Sequence, residues 1–128
     1  MNIAELYILL HLKYAGIEYA KMISKISGLP LEDVNDSIKN LMNKGYVERA
    51  EGKAIKRKDA RFKKAKEVHR HHSYYRLTEK GKLLLRKIDE KWLNEHFNLM
   101  EFKNRKFSKA MQYFIEKHIG KPFKMGVH

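Results

Sequence analysis

Two helical patterns separated by a short interruption, within residues 22–44, constrain the fold of this chain more than any other feature. Met22, Ile23 and Ile26 lie on one helical face before the segment 28–30 (Gly-Leu-Pro) interrupts the pattern. Glycine permits a positive φ and proline fits a first helical turn, so a tight turn is predicted here. Lys44-Gly45 then supplies a basic last turn and a left-handed cap, which predicts that the second helix ends at Gly45. The apolar positions of this second helix recur at helical spacing: Leu31, Val34, Ile38, Leu41 and Met42.

Two short β patterns follow these helices. Residues 46–49 (YVER) and 74–77 (YYRL) have strand character, and Thr78 is placed to cap another helix. The long segment between them, residues 51–73, is called the wing segment below. Helix, tight turn, helix, strand, long loop, strand, helix is the order of a winged helix-turn-helix. The predicted fold class is therefore mainly α with a small β-hairpin (α+β), followed by a C-terminal helical extension.

Both ends of the wing segment also resemble a known group of proteins. Residues 44–49 (KGYVER) and 75–84 (YRLTEKGKLL) are similar to the two phrases that bracket the wing in winged-helix transcriptional regulators of the MarR, ArsR and PadR type. The chain further resembles small, uncharacterised winged-helix proteins found in archaea. The resemblance covers roughly residues 3–92. It implies a winged-helix DNA-binding domain over residues 1–92, with residues 93–128 as an extension that serves for dimerisation.

Net charge is unevenly distributed along the chain. Residues 1–50 hold six basic and six acidic side chains, residues 51–73 hold nine and three, and residues 74–128 hold thirteen and six. The whole excess of +13 therefore lies after Ala50. Such an asymmetric field attracts polyanions, of which nucleic acid is the commonest inside a cell. The alternative, a solvated lysine-rich surface, fits the helix after Thr78 better, because acidic residues interleave with its lysines.

Phosphate contacts are expected from the wing segment, since it is too long for a simple hairpin turn and is strongly basic. Contacts to phosphates give affinity and register, whereas contacts to base edges give sequence choice. The candidate phosphate-binding residues are Lys53, Lys56, Arg57, Lys58, Arg61, Lys63, Lys64 and Arg70.

The second helix of the pair is the candidate for base contacts, but its charge is unusual. Glu32, Asp33 and Asp36 lie in its first half, where the helix macrodipole stabilises carboxylates. Three negative charges on one face repel phosphates, so residues 31–44 are expected to give limited base discrimination and no phosphate affinity. The candidate base-reading residues are Asn35, Ser37, Lys39, Asn40 and Asn43.

Apolar side chains exceed what a small winged domain needs at both ends of the chain. Asn2 with Glu5 predicts a capping box, and the first helix is predicted to end at Gly16. A further helix is predicted from about Gly81 to His96, and Gly81 should let this helix approach a neighbouring element closely. An amphipathic helix is predicted within residues 99–119. The surplus is covered either by a homodimer partner, which we favour, or by helices of the same chain. The predicted dimer-interface residues are Leu9, Leu12, Trp92, Phe107, Met111, Phe114 and Ile115.

Catalytic and cofactor motifs are not found in the sequence. It has no Gly-rich phosphate loop, nucleophile elbow or His-Glu-x-x-His pattern, so no enzymatic activity is expected. With no cysteine, thiolate metal sites and cysteine nucleophiles are excluded. His69, His71 and His72 lack a completing ligand and are interpreted as part of the cationic surface rather than as a metal site. No metal or other cofactor is predicted.

Two functions of different class remain. The favoured one is a cytoplasmic, dimeric transcriptional regulator that grips duplex DNA through basic wings and would be nucleoid-associated when bound. The alternative is a winged-helix module that binds a protein or RNA without sequence-specific DNA binding. No apolar run reaches the length of a membrane span and the N-terminus lacks a secretion-signal pattern, so no membrane partner is expected. The target sequence, the effector and the direction of regulation are not encoded in any motif.

Overall fold

The computed structural model describes residues 1–50, 72–98 and 104–120. Within these ranges the chain is mainly helical with one small antiparallel sheet, which confirms the α+β class. None of the helices in these ranges combines the length and hydrophobicity that a bilayer crossing requires. The elements in chain order are α1 (Ile3–Ala15), β1 (Glu18–Tyr19), α2 (Ala20–Ser27), α3 (Leu31–Asn43), β2 (Val47–Ala50), β3 (Tyr74–Leu77), α4 (Glu79–Lys87), α5 (Glu90–His96) and α6 (Arg105–Ile119).

Helix α1 forms the centre of the core. The predicted capping box is present, with the Asn2 side chain accepting from the Glu5 backbone N–H and the Glu5 carboxylate accepting from the Asn2 backbone N–H. Gly16 ends the helix with a φ of 82°. Between these ends α1 is buried on all sides, and it contacts α2, α3, α4, α6 and β3. A helix that is apolar all round is expected at such a position.

The turn between α2 and α3 has the predicted geometry. Gly28 has a φ of 83°, and its N–H donates to the Ser24 carbonyl oxygen. The Ser24 hydroxyl donates to the Leu29 carbonyl oxygen at 2.6 Å, so the carbonyl of this turn residue has a hydrogen-bond partner. Gly45, with a φ of 82°, follows the end of α3 as expected from its left-handed preference.

The sheet has the strand order β1-β3-β2, and both pairs of strands are antiparallel. Val47 pairs with Leu77 and Ala50 with Tyr74, so β2 and β3 form the predicted hairpin around the wing segment. Strand β1 was not predicted, because two residues are too short to establish a period of two. It pairs Glu18 with Tyr75.

The start of α4 is fixed to the turn that precedes β2. Thr78 caps α4 as predicted, accepting from the Gly81 N–H at 3.0 Å, and its hydroxyl donates to the Gly45 carbonyl oxygen at 2.6 Å. Gly81 lies so close to this turn that an added Cβ would overlap the Tyr46 carbonyl oxygen. The prediction that Gly81 permits close approach to a neighbour is confirmed.

The single helix predicted from about Gly81 to His96 is wrong, because two helices occupy this region. Helix α4 ends at Lys87, and Ile88 has a ψ of 104°, outside the helical region. The Asp89 side chain accepts from the Trp92 N–H at 2.8 Å and caps α5. An aspartate offers the backbone this alternative to a continuous helix, and the apolar spacing across the break conceals it.

Helix α6 covers α1, and this corrects the predicted dimer interface. Its side chains belong to the same buried core cluster as those of α1, and it contacts both α1 and α2. The predicted domain boundary at residues 92/93 falls inside α5. Trp92 is half-buried and stacks on His96. The other six predicted interface residues are at most 5% exposed within one chain, so they are not available to a partner: Leu9, Leu12, Phe107, Met111, Phe114 and Ile115.

Candidate nucleic-acid interface

The outer face of α3 carries most of the predicted base-reading side chains. Asn35, Lys39, Asn40 and Asn43 are all exposed. Ser37 is not, because it lies on the inner face of the helix and is 5% exposed. The prediction of Ser37 as a DNA contact is therefore wrong. Its position between the buried residues Val34 and Leu41 follows from the helical period, and its small side chain suits a packed helix face.

Charge on this face differs between its two halves. Glu32, Asp33 and Asp36 are exposed in the N-terminal half, whereas Lys39 and then Lys44 lie toward the C-terminal end. Pro30 provides no side-chain cap, so the first-turn carboxylates are the groups that complement the exposed N–H groups and the helix dipole. The acidic half therefore has a structural reason for its charge, and the C-terminal half is the part suited to approach a polyanion.

A shallow groove of about 220 Å³ lies between α3 and the base of the hairpin. It brings the exposed amide of Asn35 next to the end of the wing segment at His72 and Ser73. We call it the α3 groove. It is lined by Tyr19, Ala20, Lys21, Leu31, Asn35, His72, Ser73 and Tyr75.

The end of the wing segment is held at this groove by ring and hydrogen-bond contacts. The His72 ring stacks on Tyr19 with 4.2 Å between ring centroids and an interplanar angle of 17°. The Arg49 guanidinium donates to the Ser73 hydroxyl at 3.1 Å, across the hairpin. Tyr19, on the unpredicted strand β1, thus positions the point where the wing segment re-enters the sheet.

The eight predicted phosphate contacts from Lys53 to Arg70 lie outside the described residues, as do His69 and His71. The structure does give the positions of Ala50, which precedes the wing segment, and of its last two residues, His72 and Ser73. Ala50 is the last residue of β2 and pairs with Tyr74, the first residue of β3, so the chain leaves and re-enters the sheet at the same end of the hairpin. Of these residues, His72 and Ser73 line the α3 groove.

Three further lysines lie on or beside the α2–α3 pair, and none of them is among the predicted phosphate contacts. Lys21 and Lys25 are exposed on α2. Lys106, at the start of α6, lies against Gly28 in the turn, where an added Cβ would come within 3.0 Å of its side chain. Only the packing of α6 on α2 brings this lysine to the turn, so no local sequence signal identifies it.

A buried network of polar side chains links α1 to β1 within the core. The Tyr7 hydroxyl lies 2.9 Å from His11 Nδ1, and His11 Nε2 lies 3.0 Å from a Glu18 carboxylate oxygen. All three side chains are fully buried. Burial, together with the nearby Glu18 carboxylate, raises the pKa of Tyr7, so its hydroxyl stays protonated and donates to the histidine. These hydrogen bonds give the buried side chains of Tyr7, His11 and Glu18 polar partners within the core.

The described residues of this region show no candidate metal site. Across residues 1–50, 72–98 and 104–120, no group of three histidine or carboxylate side chains is arranged to hold an ion. His72, the one member of the wing-segment histidines that is described, stacks on Tyr19 instead.

Comparison with known proteins gives one family. A family model described as "Uncharacterized protein conserved in archaea (DUF2250)" matches residues 2–88. The matched region runs from the cap of α1 to the end of α4, and therefore includes the α3 groove and both strands of the hairpin. No curated protein matches the chain.

Proposed function

The chain belongs to the archaeal family matched over residues 2–88, and on this premise we propose that it is a winged helix-turn-helix protein that binds duplex DNA and regulates transcription. The observation that supports the proposal is the position of the residues that flank the basic wing segment. Ala50, which precedes it, pairs with Tyr74, and its last two residues, His72 and Ser73, line the same groove as the α3 residue Asn35.

The proposed mechanism separates affinity from base choice. The wing segment, with nine basic and three acidic side chains, holds phosphates by Coulombic attraction, helped by Lys21, Lys25 and Lys106 around the α2–α3 pair. Base contacts fall to Asn35 at the α3 groove and to Lys39 and Asn40 in the C-terminal half of α3, all of which are exposed. An asparagine amide pairs with adenine and a lysine with guanine in the major groove.

The acidic half of α3 favours a second candidate function. Glu32, Asp33 and Asp36 form an exposed anionic face that duplex phosphates repel. A winged-helix module that docks a basic protein through this face, or that binds RNA through the wing segment, is therefore the alternative. It predicts weak DNA binding that does not depend on sequence.

One binding experiment tests the proposal. Fluorescence anisotropy would compare a labelled genomic duplex with single-stranded RNA of the same sequence. The variant Lys56→Gln/Arg57→Gln/Lys58→Gln removes three charges from the wing segment, and Lys87→Gln/Lys91→Gln/Lys109→Gln removes three exposed charges from α4, α5 and α6. We expect duplex to bind more tightly than RNA, and the wing variant to lose at least about tenfold in duplex affinity.

The control variant should lose much less, because its charges lie outside the α3 groove. Equal losses in the two variants would remove the wing segment from the mechanism. Tighter binding to RNA than to duplex would favour the alternative function.

A further inference from the structure

A second concave site lies at the C-terminal end of β3. Ser73 and Tyr75 line the α3 groove, whereas Arg76 and Leu77 line a larger cleft of about 640 Å³. The cleft is bounded by the end of α1, by β3, by α4 and by the last turn of α6. Its volume lies within the range of small-molecule binding sites. We call it the cationic cleft.

The floor of the cationic cleft is aliphatic. Leu12, Leu77 and Leu85 are buried core residues whose side chains form part of its wall, and Ile17 adds a fourth. Apart from His118, the lining residues in the described part of the chain contain no aromatic ring, and they include no side-chain hydroxyl or amide. A base or sugar would find neither a stacking surface nor neutral hydrogen-bonding partners here. The floor suits a hydrocarbon body.

The rim of the cleft is basic. Lys13, Arg76, Lys82 and Arg86 line it together with His118, and none of the described lining residues has a carboxylate. Arg76 is paired with Glu48 at 2.8 Å, and Lys82 with Glu79 at 3.3 Å across an exposed helical turn. Arg86 has no ion pair within residues 1–50, 72–98 and 104–120. An anionic group that entered the cleft would therefore meet unneutralised charge on α4.

We propose that the cationic cleft binds an amphipathic monocarboxylate, with its hydrocarbon body on the aliphatic floor and its carboxylate at Arg86 and Lys82. Guanidinium and ammonium groups form charge-assisted hydrogen bonds to a carboxylate, and burial of the hydrocarbon adds apolar contact. Both features are needed, since the rim alone attracts any anion and the floor alone any apolar molecule. This inference does not depend on the proposed function.

Calorimetric titration of the full chain with three eight-carbon probes tests the ligand class. Octanoate carries the carboxylate, octan-1-ol has the same body without charge, and octylamine has the same body with a positive charge. We expect octanoate to bind at least about tenfold more tightly than octan-1-ol, and octylamine not to bind. A fourth titration with 3-phenylpropanoate distinguishes straight-chain from aromatic acids. Equal affinity for octanoate and octan-1-ol, or no octanoate binding at millimolar concentration, would overturn the proposal.

A matched pair of variants tests the position of the carboxylate. Lys82→Gln/Arg86→Gln removes two rim charges, and Lys87→Gln/Lys109→Gln removes two exposed charges elsewhere on α4 and α6. We expect octanoate affinity to fall about tenfold in the first variant, equivalent to about 1.4 kcal/mol, and less than about twofold in the second. Equal effects would show that net charge alone attracts the ligand and would overturn the proposed site.

Methyl NMR locates the hydrocarbon without any substitution. Octanoate should shift the methyl resonances of Leu12, Ile17, Leu77 and Leu85, which line the cleft. Shifts confined to Leu83, an exposed leucine on α4 that does not line the cleft, would contradict the assignment. DNA titrations of the two variants keep the inference separate from the proposed function, because a chain that binds octanoate but no duplex refutes only the latter.

Discussion

Single residues fix the points where elements meet, and Gly81 is the clearest case. Its hydrogen atom faces the Tyr46 carbonyl oxygen, so α4 packs directly on the turn before β2. This contact also brings the Thr78 hydroxyl to the Gly45 carbonyl oxygen, and the hairpin is thereby held against the end of α3. The packing of α4 and the hairpin against the end of α3 therefore depends on the absence of a side chain at one position.

The variant Gly81→Ala should destabilise the fold. Although alanine favours a helix by about 1 kcal/mol over glycine, overpacking against backbone costs about 1–3 kcal/mol, and the Tyr46 carbonyl cannot move without breaking its bond from the Thr78 N–H. We expect a net loss in the free energy of unfolding, measured by urea denaturation. Lys82→Ala, at an exposed position of the same helix, should change it by less than about 0.5 kcal/mol. A Gly81→Ala variant as stable as the wild type would contradict the close packing.

His118 joins three parts of the chain at the last turn of α6. Its Nε2–H donates to the Ile88 carbonyl oxygen at 2.8 Å, and its Nδ1 accepts from the Lys13 ammonium at 2.7 Å. Burial and the neighbouring Lys13 charge lower the pKa of His118 from its ordinary value of 6.5. Protonation would replace the hydrogen bond with repulsion between two cations.

Stability should consequently fall in mild acid. Because the folded-state pKa of His118 is below the unfolded value, the unfolded chain binds more protons as the pH drops below about 6.5. The contribution of neutral His118 to the free energy of unfolding is therefore complete above about pH 6.5 and decreases as the pH falls toward the pKa of His118 in the folded chain. Urea denaturation at pH 7.5 and pH 5.0 should show a smaller loss for His118→Gln than for the wild type. Identical pH dependence in the two chains would contradict the assignment.

At the scale of elements, local signals predicted the helices and their ends but not their partners. Periodic apolar residues and the glycines at positions 16, 28 and 45 gave α1, α2 and α3 with nearly correct bounds. Strand β1 has too few residues for a pattern. The break at Asp89 was concealed by apolar spacing that continues across it. Which element covers α1 depends on tertiary packing, so the sequence left the choice between α6 and a partner open.

The acidic half of α3 gives a prediction at this scale. Asp33→Asn/Asp36→Asn removes two exposed negative charges, and duplex affinity should rise about threefold to tenfold if this face lies near phosphates. Anisotropy at low salt measures the change. The matched control Glu90→Gln/Glu95→Gln removes two exposed charges from α5 and should have a smaller effect. An unchanged affinity in the aspartate variant would mean that this half of α3 lies away from the nucleic acid.

For the whole molecule, the distribution of apolar surface bears on the oligomeric state. The faces that suggested a homodimer are covered inside one chain, and the exposed large hydrophobic residues in the described ranges are Met1, Met42 and Leu83. No continuous apolar face of these ranges requires a partner. Sedimentation equilibrium should therefore give the mass of one chain, 15.3 kDa. A concentration-independent dimer would contradict this and point to an interface on other residues.

The net charge of +13, all of it after Ala50, is the second property of the whole molecule. Nothing in the first 50 residues adds to it, since their charges balance. Long-range attraction of a polyanion is therefore expected from the whole part of the chain after Ala50, and close phosphate contacts from the wing segment. Such attraction is sensitive to salt, because each neutralised phosphate releases counterions.

The salt dependence of duplex binding tests this central claim most directly. Affinity for one labelled duplex would be measured between 50 and 200 mM salt with the wild type and with Lys56→Gln/Arg57→Gln/Lys58→Gln. With four phosphate contacts the wild type should lose about a hundredfold over this range, and the variant should show a slope smaller by about two to three units. A duplex affinity that does not change with salt, or the same slope in both chains, would contradict the account.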